Sequence, residues 1–552
     1  MANDPGDFVN DTFDETAILK AVESLGTGHV LVYLVSTPWG GMAVAAFSAN
    51  SSLAAGAHFS VFDLPHMTDT FAHDLIQIEL GPRTDQIIGG FIHAQLGNGL
   101  TLLSDREWLA AHEEPREGFT VLAQGWEDET FRQKVLSLRE HCKVSNQTSS
   151  LNKAAQAILN NPAFASIVDQ PLRHLKDEEK NILANTLDHY FLSEELQVSL
   201  DRLSTYVFSP LLAWLREQGA ASLTLIPCGW LTALPLAAVS LDDGRTLGET
   251  IPTSITPSAR SLLQNQETPE AKRSGVYTIG DPRPTHQDLP WGEAEALTIA
   301  KLARAQKLGG QVRVQQKATR RWFSDALRLG RVVDTSCHGS FDSSNFLQSA
   351  LHLAGGYALP LGILLSHEVD LQGLRLMILS ACQTAIADLG GAREEVRSLA
   401  SGMLQAGAKG VLAALWSVDD RATYLLMVRF AQEWFPKIND EPPAAALARA
   451  QHWLRTVTNR KLLEWEATEI PAISGEERRE AGAGHSVFSS EQREVLTSTG
   501  EKKLAAVRGR GNRYEIGQAV EQVRRRAGQE IDLDACPYAD PIYWAAFQVA
   551  GW

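Results

Sequence analysis

The chain has 552 residues, of which 44% are hydrophobic and 21% are charged, with 42 Gly and 23 Pro. This composition is typical of a globular protein with a large core, and it excludes collagen-like and low-complexity chains. The 50 Lys and Arg residues are outnumbered by 66 Asp and Glu residues, which gives a net charge of −16. Because binding to a phosphate backbone needs clustered cations, we expect no direct binding to nucleic acid.

Cysteine usage and the start of the chain bear on cofactors and location. The five cysteines are scattered and include no C-x-x-C pair, so we expect no disulfide framework, no metal site and no cofactor. Residues 1–15 are polar and acidic, unlike a signal peptide. The apolar stretch from Val30 to Phe47 is broken by Pro38 and Gly40, so it is too short to span a bilayer. We therefore expect a cytoplasmic protein without direct membrane contact.

The first half of the chain reads as a domain with a helical insert. Two apolar runs, His29–Ser36 and Met42–Phe47, are separated by a Pro/Gly turn and predict a β-hairpin. At about 125–217, apolar residues recur at three- and four-residue steps, which predicts amphipathic helices. Another strand is predicted at Ser222–Pro227. We interpret residues 1–263 as this domain.

The second half follows a different rhythm. A polar linker is predicted at 264–274, and strands then alternate with helices. This alternation predicts an α/β domain at 275–552, built on a mainly parallel sheet flanked by helices. The run 459–530 is polar and charged, so we expect a surface insertion there. The apolar and aromatic segment Tyr538–Trp552 predicts a buried closing strand.

Two predicted strands end in residues that could carry chemistry. The strand before Cys337 runs into His338-Gly339, and the strand Leu374–Ser380 runs into Cys382. If these strands are parallel neighbours, His338 and Cys382 project into the crevice where such sheets bind ligands. An imidazole stabilises a thiolate and can later protonate an amine leaving group. The backbone N–H groups of Gly339 and Cys382 could then donate to a developing oxyanion.

Each residue also has a plain structural interpretation. A cysteine that closes an apolar strand is usually a small buried hydrophobe, and a histidine at a strand end is usually hydrogen-bonded into the structure. Cys337 is a rival nucleophile beside His338. Because neighbouring side chains on a strand point to opposite faces, we expect Cys337 to enter the core.

The two motifs carry a resemblance to a known family. His-Gly after one strand and Ser-Ala-Cys after another resemble the caspase-like cysteine peptidases, and more narrowly the CHAT domain, a relative of separase. Further matching segments lie at 226–227, 234–238, 280–282, 289–295, 406–408, 415–420 and 543–547. The resemblance implies a caspase-like fold with His338 and Cys382 as a catalytic dyad. It also implies that residues 1–263 form a degenerate pseudo-protease domain packed on an active domain at 275–552.

A specificity argument rests on the stretch Trp416–Asp420. Separase-like enzymes carry a similar Trp-x-Val-x-Asp stretch, whose last acid faces the arginine before the cleaved bond, and the matching position is Asp420. A buried carboxylate that faces an arginine forms a bidentate, charge-assisted pair, which can discriminate strongly. The alternative is that Asp419 or Asp420 caps the following helix, although capping explains one acid and not two.

The sequence thus predicts a cysteine endopeptidase that cleaves a partner protein after a basic residue. The resemblance further implies a role in bacterial antiviral defence or signalling, with an activating protein or effector as a partner. Two alternatives remain: a catalytically idle caspase-like scaffold that binds partner proteins, and a thiol hydrolase or acyl transferase that acts on small molecules with the same dyad.

Overall fold

The computed structural model describes residues 15–47, 58–75, 196–266, 273–284, 288–340, 346–364, 371–380, 399–416, 418–482 and 533–552. Cys382 lies outside these residues, as do most of the predicted linker and residues 483–532. Of the helices within the described ranges, none is long and apolar enough to cross a membrane.

The first half of the chain supplies five strands. Their bounds are β1 (His29–Thr37), β2 (Gly40–Phe47), β3 (Phe59–Leu64), β4 (Ser222–Pro227) and β5 (Thr253–Ile255). β1 and β2 form the predicted antiparallel hairpin, with Val30 opposite Phe47, and β3 continues it. β1 pairs in parallel with β4, and β4 with β5. The helices of this half are α1 (Glu15–Leu25), α2 (Asp69–Asp74), α3 (Ser209–Glu217), α4 (Leu247–Thr250) and α5 (Ala259–Gln266).

The predicted helical insert at about 125–217 is described only at its end. Residues 196–203 are helical, a π-helix follows at Ser204–Phe208, and α3 completes the run. Leu211, Leu212 and Leu215 of α3 are buried. Residues 125–195 lie outside the described residues, so the helical insert as a whole stays a prediction.

The second half alternates strands and helices as predicted. Its strands are β6 (Val276–Gly280), β7 (Gly310–Val314), β8 (Val332–Ser336), β9 (Gly339–Ser340), β10 (Ala350–Leu353), β11 (Tyr357–Pro360), β12 (Leu376–Leu379), β13 (Gly410–Ala414) and β14 (Phe547–Gly551). Its helices are α6 (Pro290–Ala305), α7 (Arg320–Leu329), α8 (Leu361–Leu364), α9 (Leu399–Gln405), α10 (Asp420–Trp434), α11 (Pro443–Thr456), α12 (Asn459–Thr468), α13 (Gly475–Ala481) and α14 (Pro541–Trp544).

Strands of both halves join one eleven-stranded, mainly parallel sheet in the order β3-β2-β1-β4-β5-β14-β13-β12-β8-β6-β7. β14, the predicted closing strand, is buried and links the halves, because it pairs with β5 in parallel and with β13 in antiparallel fashion. The parallel strands of the two halves therefore run in opposite directions. The predicted α/β class is confirmed, whereas the division into two domains stays a prediction. A small sheet, β11-β10-β9, follows β8.

The expected surface insertion at 459–530 is wrong in its first part. Residues 459–482 contain α12 and α13, and Leu462 and Trp465 of α12 are buried in the core. The Trp465 ring packs on Trp453 with 4.6 Å between the ring centroids. Polar composition concealed these helices because each buries only a narrow stripe of side chains.

Helix α6 approaches the sheet closely at two glycines. A Cβ atom at Gly280 would lie 2.4 Å from the Gly292 carbonyl oxygen. Such a contact cannot exist without movement of the helix or the strand. Glycine at the end of β6 therefore sets the position of the first turn of α6.

We predict that Gly280→Ala lowers the free energy of unfolding by about 1–3 kcal/mol, because the added methyl group overpacks this contact. Urea denaturation measures the effect. Gly475→Ala is the matched control, since a Cβ atom there meets nothing within 4 Å. Equal stability of the two variants would contradict the close packing of α6.

Candidate active site

Three parallel strands end side by side at one edge of the sheet. β8 lies between β6 and β12, with Ser336 opposite Gly280 and Thr335 opposite Leu379. The carboxyl ends of adjacent parallel strands form the crevice that most often binds ligands in such folds. We call this the strand-end edge.

His338 follows β8 at the strand-end edge. Its residue is 9% exposed, and its carbonyl oxygen accepts a hydrogen bond from the His352 amide at 2.9 Å. The next residue, Gly339, begins β9 and lies opposite Leu351 of β10. The backbone around His338 is therefore held between the large sheet and the small one.

Cys382 follows β12, at a position that the described residues do not include. The strand register nevertheless relates it to His338. Thr335 and Leu379 are partners across β8 and β12, His338 is the third residue after Thr335, and Cys382 is the third after Leu379. The two residues thus follow neighbouring parallel strands by the same number of positions. Ser380, the last described residue before Cys382, is buried.

Cys337 lies in the core, as the alternation of strand side chains predicted. It is 1% exposed and belongs to the main hydrophobic cluster. A thiol in such apolar surroundings is inert as a nucleophile.

The two consecutive acids at the start of α10 have different contacts. The Asp419 carboxylate accepts a hydrogen bond from the Ala422 amide at 2.7 Å and so caps its own helix. The Asp420 carboxylate is partly buried and accepts a hydrogen bond from the Trp291 amide at 3.1 Å, in the first turn of α6. Burial raises the pKa of Asp420 to about 7, and the negative charges of Asp419 and Asp281 act in the same direction. Capping of α10 therefore explains Asp419 but not Asp420.

Asp281 fixes the end of β6 to the start of α6. It has a positive φ of 46°, and its amide donates to the Ser336 carbonyl oxygen at 3.0 Å. Its fully buried carboxylate accepts hydrogen bonds from the Leu289 amide at 2.8 Å and from Arg283 at 2.7 Å. Burial raises the pKa of Asp281 in spite of these donors. The strained backbone places one carboxylate across the strand–helix junction.

Two further acids lie beneath the strand-end edge, and sequence reasoning gave them no role. Asp334 of β8 and Glu295 of α6 are 0% and 1% exposed. Within the described parts of the chain, three of their oxygens have no hydrogen-bond partner: both carboxyl oxygens of Asp334 and the Oε1 of Glu295. The sequence did contain an indication of the buried Asp334, since this acid directly follows the apolar residues Val332 and Val333 within a predicted strand. Among the described residues, no group of three or more His, Cys, Asp or Glu side chains could hold a metal ion.

Glu293 connects α6 to α13. Its carboxylate is fully buried. It pairs with Arg478 at 2.5 Å and accepts a hydrogen bond from the Gln315 side-chain Nε2 at 2.8 Å. Burial raises the pKa of Glu293, while Arg478 opposes that effect. Lys301 of α6 adds a contact to Glu477 at 2.9 Å. Ion pairs therefore hold α13 against the helix that bears the Asp420 contact.

Comparison with known proteins finds one matching family model and several similar structures. The family model described as "CHAT domain" matches residues 197–552, which is more than half of the chain. A chain of the 2.6 Å crystal structure of the Saccharomyces cerevisiae separase–securin complex shares 10% identity over 79% of this chain and 30% of that chain, with a TM-score of 0.37. The 3.0 Å crystal structure of the same complex shares 12% identity over 79% of this chain and 29% of that chain, with a TM-score of 0.40.

The crystal structure of the Arg-specific cysteine proteinase gingipain R shares 11% identity over 48% of this chain and 62% of that chain, with a TM-score of 0.29. The present chain thus spans less than a third of the separase chains that it resembles. The search of curated proteins gave no match.

We predict that Arg478→Ala lowers the free energy of unfolding by about 1–3 kcal/mol, because it leaves the buried Glu293 carboxylate without its cation. Urea denaturation tests this. Arg479→Ala is the matched control, since Arg479 is exposed on the same helix. If both variants keep the stability of the wild type, the Arg478–Glu293 pair does not stabilise the fold.

Proposed function

The chain belongs to the CHAT domain family, and on that premise we propose that it is a cysteine endopeptidase in which His338 and Cys382 form the catalytic dyad. The register of β8 and β12 is the observation that carries the proposal. It pairs Thr335 with Leu379. His338 is the third residue after Thr335, and Cys382 is the third residue after Leu379. Parallel neighbouring strands send both residues toward the same edge.

The proposed reaction has two steps. The Cys382 thiolate attacks the carbonyl carbon of the scissile peptide bond, and the backbone N–H groups of Gly339 and Cys382 donate to the resulting oxyanion. The protonated His338 imidazole transfers its proton to the leaving amine as the C–N bond breaks, which leaves a thioester. A water molecule then attacks the thioester carbon while His338 accepts its proton, and the acid product and Cys382 are released.

We propose that Asp420 selects a basic side chain before the cleaved bond. The partial burial of its carboxylate supports this role, and so does the fact that its neighbour Asp419 already caps α10. A carboxylate with spare lone pairs in a desolvated site binds a guanidinium through charge-assisted hydrogen bonds. Because Asp420 ionises near neutral pH, its attraction for a cation depends on pH in the physiological range.

The substrate in this proposal is a partner protein in the cytosol. An activating protein or effector controls the cleavage, and the family resemblance connects such control with bacterial antiviral defence.

We predict that Cys382→Ala and His338→Ala each lower cleavage by on the order of 10⁴-fold or more, because neither half of a dyad works alone. The measurement is a proteome-wide comparison of new protein termini in cells that express the wild type or a variant. Cys337→Ala is the matched control and keeps its activity, since Cys337 is buried in the core.

Identical sets of termini from the wild type and Cys382→Ala, with and without added cell extract, would reject the peptidase proposal and support a scaffold that binds partners. Loss of activity in Cys337→Ala alone, in a folded protein, would move the nucleophile to that residue.

A second prediction concerns the side chain that Asp420 selects. We compare the rates at which acetyl-arginine and acetyl-citrulline chloromethyl ketones label Cys382, since citrulline is a neutral analogue of arginine. The ratio of the two labelling rates does not depend on the ionisation of the dyad, because that ionisation changes both rates by the same factor. Asp420→Asn lowers the arginine preference by about 10- to 100-fold, the effect of losing a charged hydrogen-bond pair.

The pH dependence has a definite sign. The pKa of Asp420 is raised to about 7, so the carboxyl is mostly neutral at pH 6 and mostly charged at pH 8. The arginine preference of the wild type therefore rises from pH 6 to pH 8, and that of Asp420→Asn stays flat. Asp419→Asn is the control, because asparagine caps a helix as well as aspartate does. A preference that survives Asp420→Asn would assign basic specificity to another residue.

A further inference from the structure

The proposed chemistry makes no use of the two most deeply buried acids near the site. Asp334 lies in the middle of β8, with Thr278 of β6 on one side and Ile378 of β12 on the other. The Thr278 hydroxyl donates to the Ala296 carbonyl oxygen at 2.8 Å, which places the α6 turn containing Glu295 over this part of the sheet. We call Glu295 and Asp334 the acid pair.

No cation faces the acid pair from the described elements around it. β6 and β12 present the uncharged Thr278 and Ser380, and α10 presents Asp420 and Tyr424. The nearby ion pairs on these elements are already matched with one another: Asp281 with Arg283, Glu293 with Arg478, and Arg421 with Glu466. An ionised acid pair would therefore hold uncompensated charge in the core.

We propose that the acid pair is a reversible alkaline off-switch: it holds the ends of β8 and β12 in their working arrangement while neutral, and it disables the site when it ionises. This inference rests on the proposed function, because its readout is the reactivity of Cys382. Glu295 and Asp334 are positioning residues here, since they act through the strands that lead to His338 and Cys382.

The physical reason is a shortage of compensating donors: neither Asp334 oxygen has a hydrogen-bond partner among the described residues, and Glu295 is offered the Ser380 hydroxyl. A neutral carboxylic acid tolerates an apolar core, whereas a carboxylate without hydrogen bonds is expensive to bury. When Asp334 loses its proton to solvent, the structure lowers its energy by admitting water or moving the strand. Asp334 is four residues from His338, and its β12 neighbour Ile378 is four residues from Cys382, so movement there separates the dyad before the whole chain unfolds.

The titration of the pair has the direction that such a switch needs. Burial raises the pKa of Asp334 to about 8. Burial, followed by the negative charge of Asp334, raises the pKa of Glu295 well above its usual range. The pair is therefore mostly neutral at pH 7 and begins to ionise just above it. Two interacting acids titrate as a unit, so the first proton lost belongs to the pair.

The test measures the rate at which an electrophile labels Cys382 as a function of pH. The alkaline limb is the part of this profile where the rate falls as the pH rises. Acetyl-citrulline chloromethyl ketone is the probe, because its neutral side chain does not report on Asp420. The rate that remains in His338→Ala is subtracted from each measured rate, so that only labelling that depends on His338 is compared. The wild type loses reactivity above about pH 8 and regains it on return to pH 7. Asp334→Asn cannot ionise at that position, so the midpoint of its alkaline limb moves up by at least about one pH unit. Glu295→Gln retains Asp334, whose pKa burial alone raises to about 8, so the alkaline limb of this variant stays close to that of the wild type.

The matched control is Asp243→Asn, an exposed aspartate that pairs with Arg245 in the first half of the chain and leaves the limb unchanged. An alkaline limb at the same pH in the wild type and in Asp334→Asn would assign it to the dyad and overturn the switch. A merely structural role for Asp334 would change the rate equally at every pH, and that result would also overturn it.

A second measurement separates this inference from the proposed function. Infrared spectra record the carbonyl band of protonated carboxylic acids without any need for activity. The spectra are recorded on Asp420→Asn, because Asp420 itself titrates near pH 7. A band that disappears between pH 7 and pH 9 in this protein, and is reduced when Asp334→Asn is added, supports the acid pair even if no electrophile labels the protein, in which case only the peptidase proposal fails. A spectrum without such a band shows that the pair is already charged at pH 7 and overturns the switch.

Discussion

Helix α6 (Pro290–Ala305) can lie against the end of the sheet only because Gly280 and Gly292 have no side chains: a Cβ atom at Gly280 would meet the Gly292 carbonyl oxygen, and one at Gly292 would meet the Ser336 hydroxyl. This close approach is the constraint on which the candidate site depends. It brings the Trp291 amide to Asp420, Glu293 to Arg478, and the turn with Glu295 against Thr278 of β6. A helix only slightly farther away would leave each of these groups with water or with nothing.

The acids around α6 show how position decides the behaviour of one chemical group. Asp419 is exposed and caps a helix, whereas the adjacent Asp420 is partly buried and has its pKa raised to about 7. Asp281 and Glu293 have cationic partners, while Asp334 has none in the described part of the chain. A carboxylate in a core keeps its charge only where donors replace water. A carboxyl side chain therefore serves here as a helix cap, as one half of a buried ion pair, as a candidate specificity group or as a neutral acid.

The sequence predicted much of the frame because local patterns report on burial. Alternating apolar runs located the β1–β2 hairpin, and the apolar aromatic end of the chain indicated β14. Polar composition misled us at 459–482, where Trp465 and Leu462 bury a helix that is charged on its other faces. Composition averages over a segment, whereas packing needs only one apolar stripe.

By itself the sequence determined the α/β class, the family motifs and the identity of His338 and Cys382 as candidates, because each depends on residues close together along the chain. Only the tertiary structure decided that β8 and β12 are parallel neighbours in the register that relates those two residues. It alone separated the contacts of Asp419 from those of Asp420, and it alone placed the α6 turn that contains Glu295 against Thr278, the β6 neighbour of Asp334. These facts depend on which distant segments meet and how much water they exclude, and a linear pattern does not record either quantity.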